Sequence, residues 1–336
     1  RTLLPKTTNQ KQRTKRDINF FGPFLLDENN TVWLNTPKDL ICMYEEKHDR
    51  KTTGDNWKSI QRIKPFDKSD RTWSHLAFNI PDEKLFPMVA EPGNGKIGKP
   101  KPWIKANALD KYLKGDNDLC KSDFTDNPWG VQILPHTQMQ DDVRQVKDSD
   151  GYFTEVAVRI KSGWKFVAAI DREVPEGIVR LGGEGHRAMV SKLSDESKQT
   201  IAQLFQKLCQ NNHSSESASF AYLLTPGLAE VEKALYGSYP TAWNRNLKGC
   251  ATDKALLWGG VSTLRIDEED KTTKQKTTRE EFALLPQRAF VPPGTVYVFD
   301  GQVHYNQRLL PENQGRRWVQ TLEKLNYGKL LWGKVN

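Results

Sequence analysis

The stretch Arg180-Leu181-Gly182-Gly183-Glu184-Gly185-His186-Arg187-Ala188-Met189-Val190 places three glycines within four residues, between two apolar segments. Glycine adopts positive φ angles and lets another backbone come close, so this density predicts a tight turn. The free N–H groups of such a turn, together with the side chains of His186 and Arg187, suit a phosphate group or an RNA backbone. The alternative is structural: the glycines let a helix pack closely on a sheet, and Glu184 pairs with Arg187.

The surroundings of this glycine turn recur near the end of the sequence. Both units have an apolar strand, a short segment in the position of a helix, a turn and an exit strand. The first comprises 164–170, 174–179, the glycine turn and 188–193, and the second comprises 296–299, 316–324, Leu325-Asn326-Tyr327-Gly328 and 330–335. A repeated order of elements predicts two copies of one design, strand, helix, glycine turn, strand. The repeat makes Tyr327 and Gly328, in the second turn, candidates for binding in addition to the residues of the first turn.

Length and charge set broad limits on the function. A chain of 336 residues is more often two domains than one. Lys and Arg number 50 against 42 Asp and Glu, and the net charge of +8 favours an anionic partner. The basic residues are spread along the whole chain, however, so an ordinary solvated surface is the alternative. Aromatic residues make up 10% of the sequence, enough to stack bases, although most of them are expected in the core.

Several classes of site are disfavoured by the sequence. Cys42, Cys120, Cys209 and Cys250 lie far apart and have no histidine at metal-ligand spacing, which argues for a reducing compartment and against a zinc site or a disulfide framework. Apolar runs stay well short of the ~18 residues that a membrane span requires. We therefore expect a cytoplasmic protein with no membrane contact, no metal and no cofactor.

Residues 93–100 match the spacing of a phosphate-binding loop, Gly-x-x-x-x-Gly-Lys. Pro100 stands where a serine or threonine should ligate Mg²⁺, and Glu91-Pro92 precedes the segment where a buried strand is required. The sequence therefore argues against nucleotide hydrolysis at this segment.

Periodicity predicts the elements of the first half. We expect a β-hairpin, a polar insertion with little regular structure, a helix ending before Gly115, and a protruding hairpin of two half-buried strands with a polar tip. A second helix is capped by Ser194 or Asp195, and a polar linker follows it. The first hairpin is expected at 20–34, the polar insertion at 45–105 and the first helix at 106–113. The protruding hairpin is expected at 129–160, the second helix at 194–208 and the linker at 211–217.

The second half reads as a βαββαβ unit, the ferredoxin-like arrangement also used by sheet-type RNA-binding modules. Its predicted elements are a strand at 219–224, a helix at 225–237, a strand at 255–266, a charged surface loop at 267–281 and a strand-turn-strand at 289–299. The first half fits the same plan only if its opening strand and most of its first helix lie upstream of Arg1, as we expect. The predicted fold is α+β, with ferredoxin-like domains at 1–195 and 218–336 joined by a helix and linker at 196–217.

Seven short segments occur in the order of one known family across essentially the whole chain. They are Arg1-Thr2-Leu3-Leu4, Lys111-Tyr112-Leu113-Lys114-Gly115, Gly151-Tyr152-Phe153, Leu181-Gly182-Gly183-Glu184, Ala221-Tyr222-Leu223-Leu224-Thr225-Pro226, Val291-Pro292-Pro293-Gly294-Thr295-Val296-Tyr297 and Leu325-Asn326-Tyr327-Gly328. On these segments the sequence resembles the third-subunit family of the Cmr complex, the type III-B CRISPR RNA-targeting effector, within the repeat-associated RNA-binding superfamily. The segment 54–105 has no counterpart in this resemblance.

The resemblance implies a non-catalytic subunit that holds the 5′ handle of the guide RNA. It implies contacts with the large polymerase/cyclase-like subunit and with the first backbone subunit of the filament. The hairpin at 136–151 would stand where relatives carry a thumb that bends the guide. Asn326 departs from the family, because many relatives have glycine there, so the second turn has a structural interpretation as well.

The RNA-binding candidates follow from the turn and the resemblance together. Gly182, Gly183 and Gly185 would bring backbone N–H groups to the RNA, with Glu184 in the same turn. Arg187 would contact a phosphate, and His186 would donate a hydrogen bond or stack. The remaining candidates are Arg1 and Lys6 beside the same groove, His136 and Arg144 on the hairpin, and Tyr327 and Gly328 in the second turn.

A second hypothesis is a metal-independent endoribonuclease that processes CRISPR repeat RNA, as other members of the superfamily do, with a histidine as general acid or base. His136 and His186 are the histidines placed near the candidate RNA surfaces. Neither has an obvious partner in the sequence that would activate a nucleophile.

Overall fold

The computed structural model of the protein describes residues 18–44, 56–67, 69–78, 85–91, 95–116, 118–137, 139–140, 145–146, 151–181, 186–210, 219–269, 276–300 and 308–334. For residues 210, 261–269 and 276–285 it describes the backbone alone. The candidate RNA contacts Arg1, Lys6 and Arg144, the turn residues 182–185 and the expected linker 211–217 lie outside the described residues.

The described part of the chain is rich in strands and has three α-helices, which confirms the α+β class. The elements of the first half are β1 (Phe20–Leu26), β2 (Val32–Asn35), β3 (Leu40–Tyr44), β4 (Ser59–Arg62), β5 (Lys64–Pro65), β6 (Met88–Val89), β7 (Lys96–Gly98), β8 (Trp103–Lys105), α1 (Ala106–Leu113), β9 (Phe124–Thr125), β10 (Trp129–Thr137), β11 (Tyr152–Ile160), β12 (Lys165–Ile170), β13 (Gly177–Leu181), β14 (His186–Val190) and α2 (Asp195–Gln210). Those of the second half are β15 (Phe220–Leu223), β16 (Ala229–Glu232), β17 (Leu235–Gly237), β18 (Leu247–Ala251), β19 (Leu256–Glu269), β20 (Lys276–Phe290), β21 (Val296–Phe299), α3 (Arg317–Lys324) and β22 (Leu330–Gly333).

A five-stranded antiparallel sheet of order β12-β1-β2-β8-β9 forms the centre of the first half. β1 and β2 make the predicted hairpin, with Leu25 opposite Trp33 and Leu26 opposite Val32. All four side chains are buried. The turn between the strands is held by Asp27, whose carboxylate accepts hydrogen bonds from the backbone N–H groups of residues 29 and 31. The sequence prediction for this hairpin is confirmed.

The expectation of little regular structure over 45–105 is wrong in part. β3 pairs with β4 on one side and with β7 on the other, and the strands β5 and β6 pair with each other. These strands are two to five residues long, too short for a period of two to show in a polar sequence. β7 covers Lys96–Gly98, so part of the segment with phosphate-loop spacing is an edge strand.

The helices α1 and α2 are confirmed, with the ends that the sequence predicts. α1 is followed by Gly115 at φ +79, and the N–H of Asp116 donates to the carbonyl of Lys111, as in a glycine-terminated helix. At the start of α2 the hydroxyl of Ser194 accepts a hydrogen bond from the N–H of Ser197. Two of the predicted apolar positions of α2, residues 201 and 208, are buried.

The hairpin of β10 and β11 is confirmed over nine cross-strand pairs, but its strands are not half-buried as expected. One face carries Val131, Ile133, Val156 and Val158, and all four side chains are mostly exposed. The other face, with residues 134, 136 and 155, is the more buried one. Alternation in a strand identifies two faces without saying what covers them, so the sequence did not reveal that the apolar face is open.

The second half contains a four-stranded antiparallel sheet of order β18-β21-β15-β22. The helix expected at 225–237 is wrong, because residues 229–237 form the β16–β17 hairpin. Leu228 is fully buried while Leu235 is 55% exposed, so the helical spacing of these leucines did not mark one buried face. A turn with Ala234 at φ +63 joins the two strands, a conformation that interrupts a helix.

The charged loop expected at 267–281 is also wrong in part, since β19 continues to Glu269 and β20 begins at Lys276. Their register places Asp267 opposite Thr278 and Glu268 opposite Thr277, and threonine favours strands.

The order of elements predicted near the C-terminus is confirmed: helix α3, a turn at 325–328 and strand β22 follow one another.

A shared hydrophobic core joins the two halves. It contains Leu26, Leu109 and Tyr112 from the first half, and Phe220 and Leu331 from the second. The expected domain limits at 195 and 218 therefore separate segments of sequence that pack on each other, and they stay a prediction. None of the three described helices has the length and apolar character that a membrane crossing requires.

Candidate nucleic-acid interface

The described strands on either side of the glycine turn form a β-hairpin. β13 and β14 pair in antiparallel register from Gly177 opposite Val190 to Leu181 opposite His186. The prediction of a helix before this turn is wrong, because 177–181 is a strand. Five residues are too few for a stable helix, and Ile178 and Val179 favour strands. β13 and β14 are thus two directly paired strands, which precede and follow residues 182–185 in the sequence.

His186 and Arg187 point to opposite sides of this hairpin, although the sequence grouped them in one site. Successive side chains of a strand alternate between faces. His186 reaches the neighbouring β11, where its Nε2 lies 2.6 Å from Oε1 of Glu155. Arg187 is directly opposite Arg180 on the exposed face, next to the pair of Ile178 and Met189.

Arg180 was missed as a candidate. The sequence could have indicated it, because Arg180 and Arg187 are equally distant from the centre of the glycine-rich segment. Residues at such symmetric positions face each other in a hairpin. Side chains at directly opposite positions have Cβ atoms about 4.5–5.5 Å apart, and like charges there are unfavourable. Two arginines on one exposed face of the hairpin are suited to contact a phosphodiester chain.

A cluster of His136, Glu155 and His186 joins the two hairpins. Glu155 binds one imidazole with each carboxylate oxygen: Oε1 contacts His186, and Oε2 lies 3.1 Å from Nε2 of His136. His136 also stacks on Phe153, its cross-strand neighbour, at 5.1 Å between ring centroids and an interplanar angle of 15°. The structure thus brings together two histidines that the sequence placed 50 residues apart.

The electrostatics of this cluster favour an ionised Glu155. The hydrogen bond from His186, and secondarily that from His136, hold the pKa of the Glu155 carboxyl below its ordinary value. Sequence reasoning did not find Glu155, because no local pattern links a strand residue to a side chain in another hairpin. The arrangement holds two imidazoles in fixed positions, each about half exposed.

The second turn, residues 325–328, is tied to both halves of the protein. Asn326 has φ +53, its Nδ2 donates to the carbonyl of Phe20 at 3.0 Å, and its Oδ1 accepts from Arg308 at 3.1 Å. Gly328 is buried at φ +69, its N–H donates to Pro226, and its carbonyl accepts from Leu309. These contacts give Asn326 and Gly328 structural roles. A contact of Gly328 with RNA stays a prediction.

A cavity of about 310 Å³ lies beside Tyr327, between the first sheet and the segments of the second half. Three of the segments that carry the family resemblance meet at it, through residues 224–226, Pro293 and Tyr327. Aromatic side chains dominate the opposite wall. They are Phe20, Phe24, Trp33, Trp103 and Phe166. Such a lining suits planar, apolar groups such as nucleic-acid bases.

The described residues offer no further constellation for chemistry. Among them no group of three His, Cys, Asp or Glu side chains could hold a metal ion. The four cysteines carry no disulfide, and burial raises the pKa of the Cys42 thiol to about 11 and that of Cys250 to about 12. Thiols with such pKa values stay protonated near neutral pH, which makes these two poor nucleophiles.

Comparison with known proteins matches a family model to nearly the full length of the chain. The family model described as "CRISPR-associated protein (Cas_Cmr3)" matches residues 3–335. No curated protein matches the sequence. A chain in the cryo-EM structure of the Type III-B Cmr-beta bound to cognate target RNA is 11% identical, with a TM-score of 0.41 over 98% of this chain and 82% of that chain. A chain of the Type III-B Cmr-beta bound to cognate target RNA and AMPPnP, state 1, is also 11% identical, with a TM-score of 0.34 over 88% and 73%.

Proposed function

Because the chain belongs to the Cmr3 family of CRISPR-associated proteins, we propose that it is a non-catalytic, RNA-binding subunit of a type III-B CRISPR effector in antiviral defence. In this proposal it holds the 5′ handle of the guide RNA and joins the large polymerase/cyclase-like subunit to the backbone filament. The C-terminal sheet supports a ferredoxin-like arrangement for 218–336, with the β16–β17 hairpin where the first helix would stand.

The observation that carries the proposal is the pair of arginines beside the glycine turn. Arg180 and Arg187 face each other on the exposed side of the β13–β14 hairpin. Two guanidinium groups at this spacing can each make a bidentate contact with a phosphate. Backbone N–H groups of a glycine-rich turn would add neutral donors to the same strand of RNA. The handle would therefore lie along this face of the hairpin.

The aromatic cavity supplies the second contact in the proposal. A single-stranded handle exposes its bases, and proteins bind such bases by stacking them on aromatic rings. Tyr327 and the wall that contains Trp33, Trp103 and Phe166 offer those rings. The cavity lies between segments of both halves, so a handle bound there would contact both.

The open face of the β10–β11 hairpin supports the assembly part of the proposal. Val131, Ile133, Val156 and Val158 form a contiguous apolar surface of two strands. Exposed apolar patches of this kind mark contacts with other proteins. In an effector complex a neighbouring subunit would cover this face.

The test is RNA binding by the full chain at several salt concentrations. We expect Arg187→Ala to weaken handle binding by about 1–3 kcal/mol, the loss of a charge-assisted hydrogen bond. Arg180→Ala should act in the same way, and each variant should reduce the dependence of log affinity on log salt by about 0.7, as expected for one phosphate on a single strand. Lys198→Ala, which removes an exposed cation from α2, is the control. Unchanged affinity and salt dependence in both arginine variants would remove this face from the RNA site.

The His136, Glu155 and His186 cluster favours the second candidate function, a metal-independent endoribonuclease that processes CRISPR repeat RNA. Glu155 orients both imidazoles, as a carboxylate orients a catalytic histidine, and would stabilise an imidazolium. The two functions are separated by incubating the full chain with repeat RNA in EDTA. Specific cleavage that is abolished by His136→Ala or His186→Ala would replace the non-catalytic proposal. Intact RNA would leave the cluster as a contact between hairpins.

A further inference from the structure

Aromatic rings and guanidinium groups alternate in a stack at the base of the β19–β20 hairpin. Trp258 and Arg288 are cross-strand neighbours, and the guanidinium carbon of Arg288 lies 5.5 Å from the Trp258 ring centroid. Arg288 also lies 4.4 Å from the ring of Trp318, and Arg316 lies 5.5 Å from that same ring. The stack ends at Trp258, which is 52% exposed. A tryptophan ring is therefore presented to solvent beside a fixed cation.

The two arginines of this stack differ in charge balance. Arg316 is neutralised, because its Nη1 lies 2.9 Å from both carboxylate oxygens of Glu230. Arg288 has no carboxylate partner among the residues whose side chains the structure describes, and its Nε has no hydrogen-bond partner among them. The rings of Trp258 and Trp318 therefore hold Arg288 in place while its positive charge stays uncompensated by the described part of the protein. This charge favours an anionic ligand next to Trp258.

The backbone beside Trp258 departs from regular pairing. The register shifts between Trp258 and Gly260, and Gly260 has φ +138. Such a β-bulge bends a strand and re-aims its side chains, and bulges are frequent beside functional sites. Independently of the charges, the bulge therefore makes this part of the β19–β20 hairpin differ from a regularly paired pair of strands.

Ring contacts connect Trp258 with the aromatic cavity. Phe290, which is buried, lies 5.8 Å from Trp258 and 5.5 Å from Tyr327, measured between ring centroids. Tyr327 lines the cavity. Trp258 is therefore two ring contacts away from the cavity in which the handle is proposed to lie.

We propose that Trp258 and Arg288 form a nucleotide-binding platform for single-stranded RNA, on which one base stacks on Trp258 while Arg288 neutralises its phosphate. An arginine of a partner protein would also suit the open tryptophan face, but the charge of Arg288 opposes it. An apolar segment would leave that charge buried and unpaired, which is costly. A nucleotide satisfies both the ring and the cation. This inference rests on the proposed RNA-binding function and adds a nucleotide outside the arginine pair and the cavity.

The experiment measures the affinity of the full chain for two fluorescently labelled single-stranded RNAs, the handle alone and the handle followed by about ten further nucleotides, within the span of single-strand sites. We expect Trp258→Ala to weaken binding of the longer RNA at least about 5-fold, the lower end for loss of one stacked base. Trp258→Phe keeps a ring and should lose much less. Arg288→Gln should weaken binding and reduce the salt dependence.

Leu257→Ala is the matched control, because Leu257 is the adjacent residue, is 82% exposed and lies on the other face of the strand. A longer RNA that carries 4-thiouridine should crosslink to Trp258 upon irradiation. Thermal melting establishes that each variant is folded. The inference is overturned if folded Trp258→Ala binds both RNAs like the unaltered protein, or if Leu257→Ala loses as much.

The outcomes separate this inference from the proposed function. If Arg187→Ala weakens binding and Trp258→Ala does not, the platform is refuted while handle binding stands. If the unaltered protein binds neither RNA, both the proposed function and the platform are wrong. If Trp258→Ala leaves RNA affinity intact but releases a protein subunit from the purified effector complex, the platform binds protein and the inference is wrong.

Discussion

The guanidinium carbon of Arg62 lies 3.9 Å from the ring centroid of Phe220, and this contact joins the first half of the chain to the central strand β15 of the second. Arg62 is held there by Asp39, whose Oδ2 is 2.8 Å from its Nε. The hydroxyl of Tyr112 donates to the Asp39 carboxylate, and Arg62 also covers the Tyr112 ring at 4.3 Å. Asp39 is fully buried. A charged pair therefore lies inside the core that both halves share.

We expect Asp39→Ala to lower the free energy of unfolding by about 3–5 kcal/mol, because it leaves the charge of Arg62 buried without a carboxylate. Tyr112→Phe removes only the hydroxyl and should cost about 1 kcal/mol. Urea denaturation of the full chain measures both values. Lys64→Ala, which breaks an exposed ion pair with Glu91, is the control and should cost less than about 1 kcal/mol. A loss for Asp39→Ala no larger than that control would contradict a supporting role for the pair.

The sequence predicted elements where local chemistry decides them. The α1 helix ends two residues before Gly115, and α2 begins directly after Ser194, because these residue types favour helix ends. The helix expected at 225–237 failed because spacing alone cannot distinguish a buried helix face from a hairpin whose leucines have different surroundings. The short strands β3 to β7 are determined by their pairing with distant segments, which no local window contains.

The candidate site likewise contains residues that the local sequence indicates and residues that it does not. The glycine-rich segment and its flanking cations could be predicted as a site because their residue types are informative in themselves, and their contact with RNA stays a prediction. Arg180 could have been found from its symmetric position about that turn. Glu155 and the Trp258–Arg288 pair depend on how separate hairpins and a bulged register come together, so the sequence held no local signal for them.

Glu155 provides a prediction about pH. His186, and to a lesser extent His136, depress the pKa of the Glu155 carboxyl. A depressed pKa means that the folded state binds the proton more weakly than the unfolded chain does. The stabilisation is therefore complete above the ordinary glutamate pKa and is lost as the pH falls through the depressed value. We expect His186→Ala to raise the pKa of Glu155, measured by carboxyl NMR titration, and His136→Ala to raise it less. Identical titration curves in all three proteins would show that the two hairpins do not communicate through this carboxylate.

The last prediction concerns the contribution of Gly328 and Asn326, in the second turn, to the stability of the fold. A Cβ at Gly328 would run into the carbonyl oxygen of Leu309, and its φ of +69 disfavours any other residue. Gly328→Ala should therefore lower the free energy of unfolding by more than about 1 kcal/mol. Asn326→Gly is the matched change in the same turn: it relieves the backbone at φ +53 but removes the side-chain contacts with Phe20 and Arg308. We expect it also to be destabilising, because those two contacts tie the turn to β1 and to residue 308. Thermal and urea unfolding of both variants measure the effects, and a Gly328→Ala protein as stable as the unaltered chain would show that this glycine is not required by the close approach of Leu309.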